Sequence, residues 1–166
     1  MAKIPWGRMF RGEHYNSIDG KGRTSIPSRL RSVFVETFGD ERFVVTKNIP
    51  VCTDAGEVCH GLAVFPLAEF QEFEKKIEQG DGFTVKELNS IRRLVLAPAV
   101  ECVADRQGRV LIPPSLRGYA ALEKEIIFVG MQRKIEIWDA TTWDKVCAQA
   151  EKDFPGDSVA LAGLGL

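Results

Sequence analysis

The sequence predicts an α+β fold in which two internal repeats share one β core, with helices at its periphery. The first observation is a stretch at 19–31 that returns 86 residues later at 105–117, with seven of thirteen positions identical. The second is that both copies belong to the same order of predicted elements: hairpin, helix, strand, strand, helix. The third is that the predicted strands are short and few. A two-stranded hairpin alone is marginally stable, so we expect the two arms to interlock in one domain with pseudo-two-fold symmetry.

Turn chemistry accounts for the first element, a hairpin predicted over residues 14–27. Its turn is Asp-Gly-Lys-Gly at 19–22. The Asp19 side chain can accept hydrogen bonds from the backbone two residues further on, and Gly22 tolerates positive φ. The chain then leaves the turn as a strand over 23–26.

Helical spacing and β-branched runs predict the rest of the first half. Pro27 suits the first position of a helix that Gly39 ends. The elements that follow are a strand at 43–46, a loop at 48–61, a strand at 62–65, a helix from Pro66 to Gly80, and a helix from Thr84 until Pro98, in which Thr84 and Glu87 form a capping box.

The second half repeats this order. It comprises a strand at 100–104, a turn at 105–108, a strand at 109–112, a short helix from Pro113, strands at 126–129 and 135–138, a helix capped by Asp139 or Thr141, and a frayed tail from Asp153. The organisation that follows is a basic, partly mobile N-terminal arm at 1–12, a first repeat at 13–69, linking helices at 70–97, a second repeat at 98–141, and a C-terminal helix and tail at 142–166. In the arm, Trp6, Met9 and Phe10 are available for packing.

Positive charge is concentrated around both copies of the motif. Residues 1–35 carry a net charge of +5 and residues 103–118 a net charge of +2, although the whole chain has a net charge of -1. A basic patch on an acidic body favours an anionic partner bound at one face. The same charge distribution is equally consistent with two solvated turns that carry ordinary surface charge.

Other classes of site have little support in the sequence. There are two histidines, no glycine-rich phosphate loop and no nucleophile elbow, so we expect neither catalysis nor a cofactor nor a small-molecule substrate. No stretch approaches the ~18 apolar residues of a membrane span. The four cysteines form no regular framework, which favours a reduced, cytoplasmic protein. Cys52, Cys59 and His60 could bind a metal, but their wide gap and the missing fourth ligand favour a surface loop.

A resemblance to a known family rests on both copies of the motif. Asp-x-x-x-Arg followed by Ile-Pro and a Leu/Arg helix is similar to the AbrB-like swapped-hairpin fold. Two copies in one chain, with Met-Phe-Arg-Gly-Glu at 9–13 and Ile-Glu-Ile-Trp at 135–138, resemble the MraZ family. The resemblance implies two swapped-hairpin repeats of the SpoVT-AbrB type that form one pseudo-two-fold β-barrel core with peripheral helices.

The function that this resemblance implies is sequence-specific DNA binding by a transcriptional regulator. Family members control a gene cluster for division and cell-wall synthesis, including their own operon, and bind short direct repeats in the promoter. They assemble as homo-oligomeric rings, with an octamer or a larger ring among the options. The expected location is the cytoplasm, in association with the nucleoid. A ring-forming protein-interaction module and an antitoxin-like regulator are the alternatives.

The candidate site residues lie in the two turns and the helices that follow them. Arginine reads guanine through two parallel donors, and a tight glycine turn presents it without obstruction. The resemblance places Asp19 with Arg23 and Asp105 with Arg109 in matching positions. The predicted base readers are Arg23 and Arg109; the predicted phosphate contacts are Lys21, Arg29, Arg31, Arg106 and Arg117, with Arg8 and Arg11 as additions; the predicted turn-setting residues are Asp19, Gly22, Asp105 and Gly108.

The sequence leaves three points open. Gln107 stands where the first turn has Lys21, so we expect the two turns to be inequivalent. Arg31 and Arg117 lie on helices and could be ordinary solvated residues. The apolar helix faces at 67–77 and 88–95 could supply subunit contacts or could be buried within one subunit.

Overall fold

The computed structural model describes residues 8–166, and six antiparallel strands form its largest sheet. The strands, numbered in chain order, are β1 Glu13–Ser17, β2 Arg23–Ser25, β3 Phe43–Lys47, β4 Val51–Cys52, β5 Val58–Cys59, β6 Leu62–Pro66, β7 Val100–Cys102, β8 Arg109–Leu111, β9 Glu125–Gly130 and β10 Ile135–Asp139. The large sheet has the order β1-β9-β10-β6-β3-β7. Strands β2 and β8 form a separate two-stranded ribbon, and β4 pairs with β5.

Helices cover this sheet and connect its strands. They are α1 Ser28–Glu36, α2 Leu67–Gln79, α3 Val85–Ile91 with a π-helical continuation at Arg92–Leu96, α4 Pro114–Tyr119, α5 Ala140–Asp153 and α6 Val159–Ala162. The mixed helix and antiparallel-sheet composition agrees with the predicted class. The predicted barrel is not closed in the described part of the chain, because the large sheet ends at β1 on one edge and β7 on the other.

Strand pairing between the repeats corrects the predicted hairpin over 14–27. Strand β1 pairs with β9, and β2 pairs with β8, so the two strands that flank the first turn have their ladder partners in the second repeat. Side chains bridge these flanking strands instead: Thr24 Oγ1 donates to Ser17 O at 2.8 Å, and Asn16 Nδ2 donates to Ser25 O at 2.6 Å. The two arms therefore interlock, as the sequence predicts.

The main core takes matching residues from both copies of the motif. Ile26 and Leu30 of the first copy are 4% and 2% exposed, and their counterparts Ile112 and Leu116 are fully buried. Residues at the end of the N-terminal arm join this core. Phe10 is buried, packs on Phe34 with ring centroids 5.0 Å apart, and exchanges backbone hydrogen bonds with Gln132. The predicted packing of Trp6 lies outside the described residues.

Three local predictions need correction. The predicted loop at 48–61 contains the β4–β5 hairpin. The helix before Pro98 changes from α to π geometry at Arg92. The tail contains the one-turn helix α6, whose residues are not buried. The Thr84 capping box is confirmed, because Glu87 N donates to Thr84 Oγ1 and Thr84 N donates to Glu87 Oε2.

The two predicted apolar helix faces are buried to different degrees. Helix α2 packs Leu67, Phe70 and Ile77 within the subunit. Helix α3 and its π-helical continuation contain no buried residue. The surface of α3 and its flanks therefore leaves apolar side chains accessible, including Phe83, Val85 and Leu94.

A buried polar network connects the two halves on the sheet. Asn48 Nδ2 donates to Glu136 Oε2 at 2.5 Å, and Trp138 Nε1 donates to Glu136 Oε1 at 3.1 Å. Lys134 Nζ donates to Asn48 Oδ1 at 2.8 Å. One carboxylate thus satisfies two buried donors, which would otherwise each carry a desolvation cost.

Candidate nucleic-acid interface

The first turn is held by a single carboxylate. Asp19 Oδ1 accepts hydrogen bonds from Lys21 N and Arg23 N, both at 2.9 Å, and Asp19 Oδ2 accepts one from Arg23 Nε at 2.7 Å. Gly22 N donates to Asp19 O at 3.0 Å and closes the turn. These bonds, first from the Arg23 backbone and then from its side chain, lower the pKa of Asp19 to about 2. The carboxylate therefore fixes both the backbone of the turn and the plane of the Arg23 guanidinium.

The second turn reproduces this geometry bond for bond. Asp105 Oδ1 accepts from Gln107 N and Arg109 N at 2.9 Å, and Asp105 Oδ2 accepts from Arg109 Nε at 2.9 Å. Gly108 N donates to Asp105 O at 2.9 Å. The bonds from Arg109 likewise hold the pKa of Asp105 below its usual value. The internal sequence repeat is thus a repeat of local structure.

The ribbon of β2 and β8 brings the two arginines onto one surface. Its register pairs Arg23 with Leu111 and Ser25 with Arg109. Between these pairs, Thr24 faces Val110, and both are buried. Because side chains alternate along a strand, Arg23 and Arg109 share the opposite, outward face as diagonal neighbours, roughly 7–8 Å apart at the backbone. Their side chains are 60% and 58% exposed.

Each turn is also contacted by the helix of the other repeat. Gly22 has φ +88°, and a Cβ atom there would lie 2.6 Å from Arg117 Nε on α4. Gly108 has φ +79°, and a Cβ atom there would lie 2.8 Å from Arg31 Cζ on α1. Sequence reasoning assigned Arg31 and Arg117 to phosphate and missed these contacts. The available signal was that the arginine at the end of both thirteen-residue copies is identical.

Backbone hydrogen bonds also connect each turn to the other repeat. Ile26 N donates to Gly108 O at 2.9 Å, and Ile112 N donates to Gly22 O at 2.8 Å. Each turn glycine therefore accepts a hydrogen bond from the strand that follows the other turn. The two turns and the ribbon between them form one structural unit.

The remaining predicted phosphate contacts occupy accessible positions. Lys21 and Arg106 lie at the tips of the two turns, and Arg29 lies on the first turn of α1; all three residues are exposed. Within residues 8–166, no acidic side chain lies within salt-bridge distance of these three. The two tips differ, because Gly20 and Lys21 of the first correspond to Arg106 and Gln107 of the second.

The possible metal ligands Cys52, Cys59 and His60 lie in and beside the β4–β5 hairpin. Cys52 is exposed on β4 and Cys59 is buried on β5, where desolvation raises the pKa of its thiol. The His60 ring packs on Tyr119 with centroids 4.6 Å apart. Among the residues that the structure describes, there is no group of three or more metal-ligating side chains. None of the helices described is long and apolar enough to span a bilayer.

Fold and site together define a class of two-repeat α+β proteins whose repeats exchange strand partners and present two Asp–Arg turns on one ribbon. The family model described as "MraZ protein, putative antitoxin-like" matches residues 9–93 and 95–160. The chain belongs to the MraZ family.

Relatives that share the name Transcriptional regulator MraZ match almost the whole chain. The Transcriptional regulator MraZ of Geobacter sp. (strain M21) is 54% identical over 160 residues, which cover 95% of this chain and all of that protein. The Transcriptional regulator MraZ of Geobacter sulfurreducens is 49% identical over 158 residues, with the same coverage. That of Desulfitobacterium hafniense (strain DSM 10664 / DCB-2) is 37% identical over 158 residues, again with the same coverage.

Proposed function

We propose that this protein is a transcriptional regulator that binds promoter DNA through the β2–β8 ribbon. The relatives named as transcriptional regulators support the class of function. The observation that carries the proposal is the position of Arg23 and Arg109 on one exposed face of a two-stranded ribbon. The major groove of B-DNA admits a two-stranded β-ribbon, and arginine is the residue that most often reads guanine there.

The Asp–Arg pairs suit base reading. In each pair the carboxylate accepts a hydrogen bond from Nε, which restrains the guanidinium and leaves the terminal nitrogens without a hydrogen bond to it. Those donors would bind guanine O6 and N7, at about 1–3 kcal/mol of discrimination for each good pair. An exposed Asp–Arg ion pair alone adds little to stability, so its geometry matters more for presentation of the arginine than for folding.

Phosphate contacts would come from the exposed cations that surround the ribbon. Lys21, Arg29 and Arg106 are accessible and have no acidic partner in the described part of the chain. Such contacts orient the protein on the duplex without reading its sequence, and they make binding sensitive to salt. Arg8 pairs with Glu36 at 3.5 Å, which makes it a weaker candidate.

Assembly into a ring would multiply the few base contacts that one subunit offers. Several subunits on spaced direct repeats gain effective concentration, so modest contacts add up to specific binding. The accessible apolar side chains of Phe83, Val85 and Leu94 are candidates for the subunit contact, whereas the apolar face of α2 is used inside the subunit.

The proposal also includes a swapped-hairpin fold and a location at the nucleoid. The genes that we propose it regulates are the division and cell-wall cluster, which includes the protein's own operon.

A mobility-shift assay on DNA from the protein's own upstream region tests this proposal. Wild type should shift the DNA, with affinity that falls steeply as salt rises. Arg23→Ala and Arg109→Ala should abolish the shift with little change in melting temperature. Arg42→Ala is the matched control, because it removes an exposed arginine that pairs with Asp40 at 2.8 Å and belongs to neither turn nor to the ribbon.

Two outcomes would contradict the proposal at different levels. If both ribbon variants bind as well as wild type, the site assignment is wrong. If wild type fails to shift its upstream DNA at any salt concentration, the DNA-binding function is wrong. A toxin partner recovered from the same genome would then favour the antitoxin-like alternative, which the description of the family supports.

A further inference from the structure

Each of the two Asp–Arg turns is covered by an arginine from the opposite repeat. Arg117 of the second copy lies over Gly22 of the first turn, and Arg31 of the first copy lies over Gly108 of the second. Both glycines have positive φ and both are buried, although the other residues at the tips are exposed. The absence of a side chain on each glycine therefore makes room for a guanidinium group.

Arg117 holds the first turn by more than contact. Its Nη1 donates to Gly20 O at 3.1 Å, one residue from the tip of the turn. Its Nε is buried and has no hydrogen-bond partner in the described structure. A guanidinium oriented in this way has donors committed to the turn or shielded by it, which leaves it poorly placed to bind a DNA phosphate.

We propose that Arg31 and Arg117 are positioning residues, each of which fixes the base-reading turn of the other repeat. Arg117 thereby sets the presentation of Arg23, and Arg31 sets that of Arg109. The two turns consequently work as one unit, in which a change in one repeat alters base reading by the other. This inference rests on the proposed DNA-binding function and replaces the phosphate role expected for these two residues.

The chemistry of arginine accounts for this arrangement. A planar guanidinium can lie flat over a glycine peptide while one terminal nitrogen still donates to a carbonyl. Lysine keeps the positive charge but is a point donor on a flexible stem, so it cannot make both contacts. An Arg-to-Lys change therefore separates a positioning role from a phosphate contact, because a phosphate tolerates either cation.

The two positioning contacts are unequal. Arg117 adds a hydrogen bond to its packing on the first turn, whereas Arg31 makes no hydrogen bond to the second turn in the described structure. We therefore expect Arg117→Lys to have a larger effect than Arg31→Lys.

The test uses the full-length protein and fluorescence anisotropy with its promoter repeat at several salt concentrations. A panel of DNAs with single base changes reports which bases are read. Arg117→Lys should weaken binding about fivefold or more, relax preference at some bases while leaving it unchanged at others, and leave the salt slope unchanged. Arg42→Lys is the matched control, because Arg42 is exposed, pairs with Asp40 and covers neither turn. A phosphate role would instead leave Arg117→Lys close to wild type and make Arg117→Ala lose affinity equally at all bases, with a salt slope lower by about 1.

A measurement without DNA keeps the inference testable if the proposed function fails. Hydrogen exchange in the free protein should speed up at residues 20–23 in Arg117→Lys, with residues 106–109 unchanged. Arg31→Lys should produce the reverse pattern. Unchanged exchange at 20–23, or a change confined to the variant's own repeat, would overturn the positioning role. Absence of DNA binding by wild type would overturn only the proposed function.

Discussion

Replacement of Gly22 by alanine tests the central geometric requirement of the first turn. Gly22 has φ +88°, a conformation that side chains on L-residues rarely adopt, and a Cβ atom there would lie 2.5 Å from Ile112 O. That oxygen belongs to the backbone, and Ile112 N donates to Gly22 O at 2.8 Å. The Ile112 backbone therefore cannot move away from the new Cβ atom unless this hydrogen bond between the two repeats is lost.

The expected loss in the free energy of unfolding has two contributions. The left-handed conformation costs an alanine about 1–2 kcal/mol, and the disrupted hydrogen bond adds about 1 kcal/mol. A total of about 2–3 kcal/mol corresponds to a melting temperature lower by about 4–12 °C in a chain of this size. Because Arg117 Nε would lie 2.6 Å from the new Cβ, the positioning contact is lost too, and DNA affinity should fall further than stability alone explains.

Gly20 supplies a matched control within the same turn. A Cβ atom there meets no atom within 4 Å, and its φ lies outside the left-handed range. Gly20→Ala should thus stay within about 0.5 kcal/mol of wild type. Thermal unfolding by circular dichroism and anisotropy with promoter DNA measure the two effects. Equal melting temperatures for Gly22→Ala and Gly20→Ala would refute the packing of the two repeats around the first turn.

Two further predictions concern charged groups. The pKa of Asp19 is about 2 in the folded protein against an ordinary value of 3.8, so its ionised form stabilises the fold above that value and the contribution is lost as pH falls towards 2. The melting temperature of wild type should therefore fall more steeply between about pH 4 and 2 than that of Asp19→Asn, and parallel curves would contradict this. Glu136→Ala should leave Asn48 Nδ2 and Trp138 Nε1 without their acceptor and cost about 1–3 kcal/mol for each buried donor. Urea titration measures this cost, with the exposed Glu123→Ala as the control.

Local sequence signals predicted most elements and the geometry of both turns. Three signals act within a few residues: proline at the helix starts, the capping box at Thr84, and the glycine that ends each turn. The local sequence is therefore enough to predict them. Each copy of the family motif is equally local, because it lies within thirteen residues. These features could be predicted without knowledge of the fold.

The choice of strand partners could not be predicted, because it depends on residues far apart in the chain. Around the first turn, Thr24 and Asn16 bond the flanking strand through side chains, which leaves the backbone ladder of β2 for β8. The change to π geometry after α3 has a similar origin. Thr46 Oγ1 donates to Val95 O at 2.6 Å from a strand 49 residues earlier, and no local pattern indicates that contact.

Inequivalence of the two tips bears on the type of DNA sequence that the proposed interface would read. A ribbon with true two-fold symmetry would contact both halves of its target alike and would suit an inverted repeat. Here Lys21 of the first tip corresponds to Gln107 of the second. Within residues 8–166, Arg117 donates a hydrogen bond to the first turn, whereas Arg31 donates none to the second. Such a ribbon has a direction along the duplex. In the proposed ring, subunits joined head to tail would keep that direction from one to the next, so direct repeats are the arrangement that we expect such a ring to bind.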